Sequence, residues 1–134
     1  MAVRVHLSAL GSAVSDLLRH EGMTPGASRL VADVICAAER DGCTSHGVFR
    51  VPGYLHALRS RQFDAAAIPA VSAHGSGDAV VMVDAAGGFG PPAFRAGEAT
   101  FVDRVRKHGV AVCVLRRIRH FSALWWEVEE LAAQ

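Results

Sequence analysis

The spacing of apolar residues changes period near residue 65, and this change limits the possible folds more than any other feature of the chain. Before it, apolar residues recur every three or four positions, the spacing of an amphipathic helix. Leu7, Leu10, Val14, Leu17 and Leu18 form a first stripe that Gly22 ends. Thr24 then offers an N-cap and Pro25 the favoured first helical position. Leu30, Val31, Val34, Ile35 and Ala38 make a second stripe running to about Arg40, where Asp41-Gly42 breaks it. A third helix is expected to start near Ser45 or His46 and end near Gln62. It would turn Tyr54, Leu55 and Leu58 inward and hold Pro52 in its first turns, where proline is tolerated.

After residue 65 the apolar runs are short. Residues 70–73 and 79–83 read as two strands joined by Gly75-Ser76-Gly77-Asp78. Gly87-Gly88-Phe89-Gly90-Pro91-Pro92 leads into a helix over about 92–107, with Phe94, Ala99, Phe101, Val102 and Val105 facing inward. His108-Gly109 closes that helix. Residues 110–115 have the look of a buried strand, and 123–133 of a last amphipathic helix. The expected class is α/β (α+β): a helical segment over 1–65, then part of a mixed-sheet α/β domain over 66–134. Three strands make a thin sheet, and the last helix reaches Gln134 without a capping signal. The chain reads as the front part of something larger.

Composition narrows the classes of partner. At 134 residues, 51% hydrophobic and 20% charged, the chain has the make-up of one folded domain. A net charge of +1 supplies no global field for nucleic acid or an anionic membrane. Cys36, Cys43 and Cys113 form no CxxC pair and are odd in number, which suits reduced thiols in the cytoplasm. The N-terminus lacks a signal-peptide core, and no stretch reaches the roughly 18 apolar residues that span a bilayer. A soluble cytoplasmic protein is expected, with neither a membrane nor a nucleic acid as partner.

Chemistry concentrates in residues 41–54, DGCTSHGVFRVPGY, which hold Ser45, His46, Arg50 and Tyr54. In a continuous helix His46, Arg50 and Tyr54 stand at i, i+4 and i+8 and share roughly one face. A proton donor beside a guanidinium fork and a phenol suits a small oxo acid, because the fork gives a carboxylate two parallel hydrogen bonds. The same spacing also suits an ordinary polar helix face, with Ser45 as N-cap and Arg50 packed over Tyr54. A charged proton donor at His46 needs a carboxylate partner, and Asp41 is near in sequence.

The dense basic run Arg116-Arg117-Ile118-Arg119-His120 follows a strand and precedes a helix, where α/β folds bind phosphates. Three arginines there suit the phosphates of a dinucleotide, or nucleic acid, or simply a solvated turn; a wider basic face with interleaved aromatics is missing. Gly87-Gly88-Phe89-Gly90 fits neither GxGxxG nor a Walker A sequence and is read as a turn. The seven histidines lack HExxH or Cys/His ligand spacing, so no metal is expected. Ser45 is not in a GxSxG elbow and so is not a hydrolase nucleophile.

Residues 38–54, AERDGCTSHGVFRVPGY, resemble the signature of the malate/L-lactate dehydrogenase family, which includes ureidoglycolate dehydrogenase and the Δ1-piperideine-2-carboxylate reductases and is separate from the Rossmann-type enzymes. The match lies at Asp41, Gly42, Ser45, His46, Gly47, Arg50 and Tyr54. Val83-Asp84 through Gly90 is similar to the family's Asp-Gly…Gly-x-Gly stretch. Gly109-Val110-Ala111-Val112 and then His120-Phe121-Ser122-Ala123-Leu124 are similar to its strand leading into Asn-Ser-x-His-Phe-Gly/Ala-Ala. The resemblance covers nearly the whole chain.

It implies a non-Rossmann NAD(P)-binding fold, usually a homodimer, that interconverts 2-oxo or cyclic 2-imino acids and their reduced forms with NAD or NADP. Carried over, His46 is the proton donor, Ser45 part of its relay, and Arg50 the clamp on the substrate carboxylate with Tyr54 beside it. His120, Phe121, Ser122, Ala123 and Leu124 lie along the cofactor. Arg117-Ile118 replaces the family's Asn-Ser, and Trp125-Trp126 stands against its Gly-Tyr-Tyr. Family members are more than twice as long, and the resemblance puts the relay aspartate and most cofactor contacts beyond Gln134. Weak or absent cofactor binding is therefore expected of these residues alone. The alternative is a catalytically inactive remnant that dimerises or binds a partner through its sheet and an exposed Trp125-Trp126 surface.

Overall fold

A computed structural model describes residues 3–73 and 79–134. Helix α1 (Leu7–His20) is capped by His6, whose Nδ1 accepts from the Ser8 N–H at 3.3 Å. Helix α2 (Pro25–Arg40) starts as its sequence dictates: Thr24 Oγ1 accepts from the Ala27 N–H and Pro25 opens the first turn. The two helices close on Val14, Leu18, Val31, Ala32 and Ile35, all buried. Where they cross, the small residues Ser15 and Ser28 share a buried hydroxyl hydrogen bond of 3.1 Å. Leu7 and Leu17, expected inward, are 40% and 46% exposed, because α1 meets α2 along the Gly11-Val14-Ser15-Leu18 edge instead.

Helix α3 is shorter than the spacing predicts. It runs Val51–Arg59 and is preceded by two separate 3₁₀ turns, Thr44–His46 and Val48–Arg50. Pro52 explains the break: its ring collides with a helical carbonyl four residues earlier, and it has no N–H to give. Tyr54 and Leu58 face inward as expected, and Leu55 packs at the margin.

Strands β1 (Ala70–Ala73), β2 (Val80–Asp84) and β3 (Val112–Arg116) form one mixed sheet in the order β1-β2-β3. β1 pairs antiparallel to β2, with Ala70 opposite Asp84; β3 pairs parallel to β2, with Val80 opposite Val112. The expected turn at Gly75-Ser76-Gly77-Asp78 lies outside the described residues. Between β2 and β3 runs α4 (Gly90–His108), the crossover that a parallel pair requires. It ends at Gly109, whose φ of 79° is the left-handed cap that glycine supplies without strain. α4 lies close on β2: a Cβ at Gly97 would sit 2.5 Å from Val83 Cγ2. Val81 and Val83 are fully buried beneath it with Ala85 and Ala93.

Two expectations for this half fail. Ala99 is exposed, and Phe101, Val102 and Val105 are only half-buried, because the buried residues of α4 lie in its first half, between Gly90 and Glu98. β3 is not a buried strand but the open edge of the sheet, with Val112 54% and Val114 36% exposed. Among the described residues no helix is long and apolar enough to cross a membrane. All three cysteines are free thiols.

Helix α5 (Leu124–Ala132) packs Trp126 against Val34, Phe94 and Ala123. Trp126 is thus 6% exposed, so the expected Trp125-Trp126 surface pair does not exist. The next residue, Glu127, is also buried, and neither of its carboxylate oxygens has a partner among the described residues. Burial pushes its carboxyl above the usual range. A carboxyl with a higher pKa folded than unfolded holds more protons in the folded state, so stability falls as pH rises through that window. Glu127→Gln is accordingly expected to raise the thermal midpoint at neutral pH and to lose the advantage in acid. Melts across a pH series read this directly, and a variant no more stable at neutral pH would contradict it.

Candidate active site

The turn region after α2 is set by its exit. Gly42 (φ 74°) takes the left-handed position, and the Cys43 N–H reaches back to the Ala38 carbonyl at 2.8 Å. Glu39, the last residue but one of α2, then holds the next segment: its Oε1 accepts from the Val48 N–H at 2.7 Å. A Cβ on Gly47 would overlap that carboxylate, so Gly47 is needed for close approach rather than for an unusual φ. Together they fix the backbone on both sides of His46.

Ser45 Oγ lies 3.0 Å from His46 Nδ1. His46 Nε2 has no hydrogen-bond partner among the described residues. Arg50 Nε donates to the Ser45 carbonyl at 2.7 Å, which turns the guanidinium back over the Ser45-His46 turn. Its two terminal nitrogens have no protein partner among the described residues and remain a free fork. The continuous helical face on which His46, Arg50 and Tyr54 would align is absent, because Gly47 and Pro52 interrupt it. Instead Ser45 is exposed, His46 and Arg50 are half-buried, and Tyr54 is 3% exposed.

Tyr54 joins the two motifs. Its ring stacks edge-on with Phe89 and His120, and its hydroxyl lies 3.2 Å from Ser122 Oγ and 3.4 Å from His120 Nδ1. The phenol that the sequence offers to a substrate carboxylate is thus engaged within the protein. The Ser122 N–H donates to His120 Nδ1 at 2.7 Å, so that nitrogen carries a lone pair and the ring proton sits on Nε2. Burial holds His120 below its ordinary pKa, and the positive charges of Arg50 and His46 add to the effect. Burial raises the Tyr54 phenol, against the lowering effect of its Ser122 bond.

α4 anchors the His120 segment from below. The Gly90 N–H donates to the His120 carbonyl at 2.8 Å, and a Cβ at Gly90 would meet that oxygen at 2.9 Å and Phe121 Cα at 3.1 Å. The start of α4 is therefore not a phosphate cradle: Pro91 and Pro92 have no N–H, and that of Gly90 is taken. The turn reading of Gly87-Gly88-Phe89-Gly90 agrees with this, since Ala86 and Gly87 both take positive φ and the Gly88 N–H closes on Ala85 at 2.9 Å.

Asp41 is not the partner of His46. It pairs with Arg40 at 2.7 and 2.9 Å and accepts from the Trp125 indole, and these contacts hold its carboxyl below the usual range, the Arg40 bond most of all. Trp125 in turn stands edge-on to the His46 ring, centroids 6.3 Å apart. Sequence reasoning overlooked Glu39 and this role of Trp125. An acidic side chain at the end of a helix, eight residues before a glycine-flanked turn, was the available signal for the first.

Of the five residues expected along a cofactor, Phe121 and Leu124 are exposed and His120 and Ser122 half-buried, while Ala123 is 2% exposed in the core with Trp126. Phe121 and Leu124 thus leave an exposed apolar strip on the segment that follows His120, and Arg50 keeps a free guanidinium fork. Arg116 and Arg117 pair with Asp84 at 3.3 and 2.7 Å, and Arg119 has no side-chain partner among the described residues.

Comparison with known proteins identifies the relatives of the chain. The chain is 46% identical over 123 residues to the Δ1-pyrroline-2-carboxylate/Δ1-piperideine-2-carboxylate reductase of Pseudomonas syringae pv. tomato, covering 89% of this chain and 35% of that protein. Its identity to the Pseudomonas putida reductase of the same name is 40% over 132 residues, 98% of this chain and 38% of that one. The crystal structure of the P. syringae Δ1-piperideine-2-carboxylate reductase superposes with a TM-score of 0.93 at 38% identity, over 99% of this chain and 40% of the other. The chain thus spans well under half the length of these relatives. Residues 5–134 match the sequence profile of malate/L-lactate dehydrogenase, and the chain belongs to that family.

Proposed function

We propose that these residues form the proton-donating and carboxylate-binding part of an NAD(P)H-dependent reductase acting on a cyclic 2-imino acid or a 2-oxo acid. The observation that carries the reading is the Tyr54 hydroxyl between Ser122 and His120, with Arg50 and His46 near enough for their charges to act on the His120 ring although the two segments lie more than 60 residues apart in sequence. Identity to reductases of pyrroline and piperideine carboxylates favours the cyclic imine.

When bound, a reduced nicotinamide supplies a hydride to C2 of the substrate. The Arg50 fork takes the carboxylate in two parallel hydrogen bonds and so fixes which face of the double bond is presented. His46 gives its Nε2 proton to the ring nitrogen of an imine, or to the oxygen of an oxo acid, as the bond is reduced. Ser45 keeps the His46 ring oriented through Nδ1. His120, held neutral with its proton on Nε2, donates a hydrogen bond without adding a second positive charge beside Arg50. Family resemblance supports NAD or NADP as the cofactor, a homodimer as the assembly and the cytoplasm as the location, with weak or absent cofactor binding by these residues alone.

The test uses pyrrole-2-carboxylate, a planar five-membered ring bearing a 2-carboxylate. Titrated into the 134-residue chain, it is expected to shift the NMR signals of the His46 and His120 rings and of Arg50 Nε–H. Arg50→Lys, a point charge without the fork, should weaken binding about tenfold. Binding that leaves those signals unmoved, or that the lysine variant matches, would place the carboxylate elsewhere.

A further inference from the structure

A second basic feature plays no part in this chemistry. The loop after α3, the β2–α4 turn and the segment after β3 enclose a cleft of about 340 Å³. Arg61, Gln62, Arg117 and Arg119 line it, with Asp64 as the one carboxylate. Asp64 is already occupied, since its Oδ1 accepts from the Ala66 N–H at 2.9 Å. The side chains of Arg61 and Arg119 have no hydrogen-bond or ion-pair partner among the described residues. Arg117 spends Nε on Asp84 and keeps its terminal nitrogens.

The backbone around the cleft is fixed in an uncommon way. Four non-glycine residues among those described have positive φ, and three of them line this cleft: Arg61 at 57°, Ala86 at 52° and Arg117 at 53°. Arg61 follows the last turn of α3 in the left-handed position that glycine ordinarily fills, with its N–H on Leu58 O and that of Gln62 on Ala57 O. The sequence therefore keeps two guanidiniums where the backbone favours no side chain at all, and strain of this kind gathers at functional sites. Three backbone bonds cross-link the walls: Asp64 N–H to Gly87 O at 3.1 Å, Gly87 N–H to Arg117 O at 2.9 Å and Arg119 N–H to Gly88 O at 3.1 Å. The arginines thus stand on a preformed frame.

We propose that this cleft binds a phosphate dianion, free or as a monoester, between the guanidiniums of Arg61, Arg117 and Arg119. Planar forks with several donors suit tetrahedral phosphate oxygens, and a volume near 340 Å³ admits more than the bare ion. The proposal is independent of the reductase reading, since none of these side chains touches His46, Arg50 or His120 in that scheme.

The test titrates inorganic phosphate into the 134-residue chain at constant ionic strength, following arginine Nε–H signals and heat. Saturable binding is expected, weakened about tenfold or more in Arg61→Ala and in Arg119→Ala. Arg29→Ala removes an equal charge from α2 and should leave it unchanged, with dispersed amide spectra reporting that each variant is folded. AMP, a phosphate monoester, in a parallel titration separates the two sources: tighter than phosphate indicates the ester, equal or weaker indicates the free ion. No saturation at millimolar phosphate, or equal weakening by Arg29→Ala, would overturn the proposal.

Discussion

His46→Ala is expected to lower kcat about 10²- to 10⁴-fold, the range for losing a positioned general acid. The measurement needs a complete catalytic unit, which a chimera provides: residues 3–134 replacing the aligned part of the P. syringae reductase, assayed on Δ1-piperideine-2-carboxylate by oxidation of the reduced nicotinamide. The loss should fall on kcat more than on KM, because in the proposed scheme His46 Nε2 acts on the reacting atom while Arg50 holds the carboxylate. Ser45→Ala should cost less, since it frees the ring held through Nδ1 at 3.0 Å but leaves the proton in place. Near-normal kcat in the His46→Ala chimera would remove His46 from the mechanism.

Tyr54→Ala is expected to destabilise the chain by about 3–5 kcal/mol, the range for deleting a buried aromatic ring. Tyr54 is 3% exposed and packs on Phe89, which itself stacks on Phe63, so the cavity would open where the helical core meets the β2–α4 turn. Tyr54→Phe separates packing from hydrogen bonding. It keeps the ring and leaves Ser122 Oγ and His120 Nδ1 without the hydroxyl, a loss of about 0.5–1.5 kcal/mol. Chemical denaturation gives both values. If the two variants lose the same stability, the hydroxyl and not the ring carries the contribution of Tyr54. In the Tyr54→Phe chain the His120 ring signals should also move while those of His46 stay, because only His120 touches the phenol.

Structure is legible in the sequence where the physics is local. Thr24 and Pro25 announce the start of α2, and Gly109 the end of α4, because a cap depends on groups a few bonds apart. Burial is poorly legible where it depends on a distant neighbour. The apolar run at 110–115 looks like a core strand, yet α4 covers only one face of β3, so half-buried Cys113 and Leu115 alternate with exposed Val112, Val114 and Arg116. Leu17 looks like core because it extends a helical stripe, but α2 reaches α1 along a different edge. Asp41 looks like the partner of His46 because it is near in sequence, yet Arg40 and Trp125 claim it.

The candidate site divides along the same line. Ser45, His46 and Arg50 and their order are legible in residues 41–54, and so is the family they point to, since motif and spacing are properties of the chain itself. The expected alignment on one helix was wrong for a local reason that the sequence already contained, the Pro52 ring. The family resemblance puts those residues and the 120–124 segment at one site, but the contacts through which the segments meet are not legible in motif or spacing. They depend on Tyr54 being buried against Phe89, on Gly90 admitting the His120 carbonyl, and on Glu39 reaching across to Val48. The sequence by itself therefore determined which chemical groups this protein brings and which elements carry them, through caps, periods and motifs acting over a few residues. Only the tertiary structure decided which of those groups meet, because contacts across more than 60 positions are selected by packing of the whole core and leave no local mark.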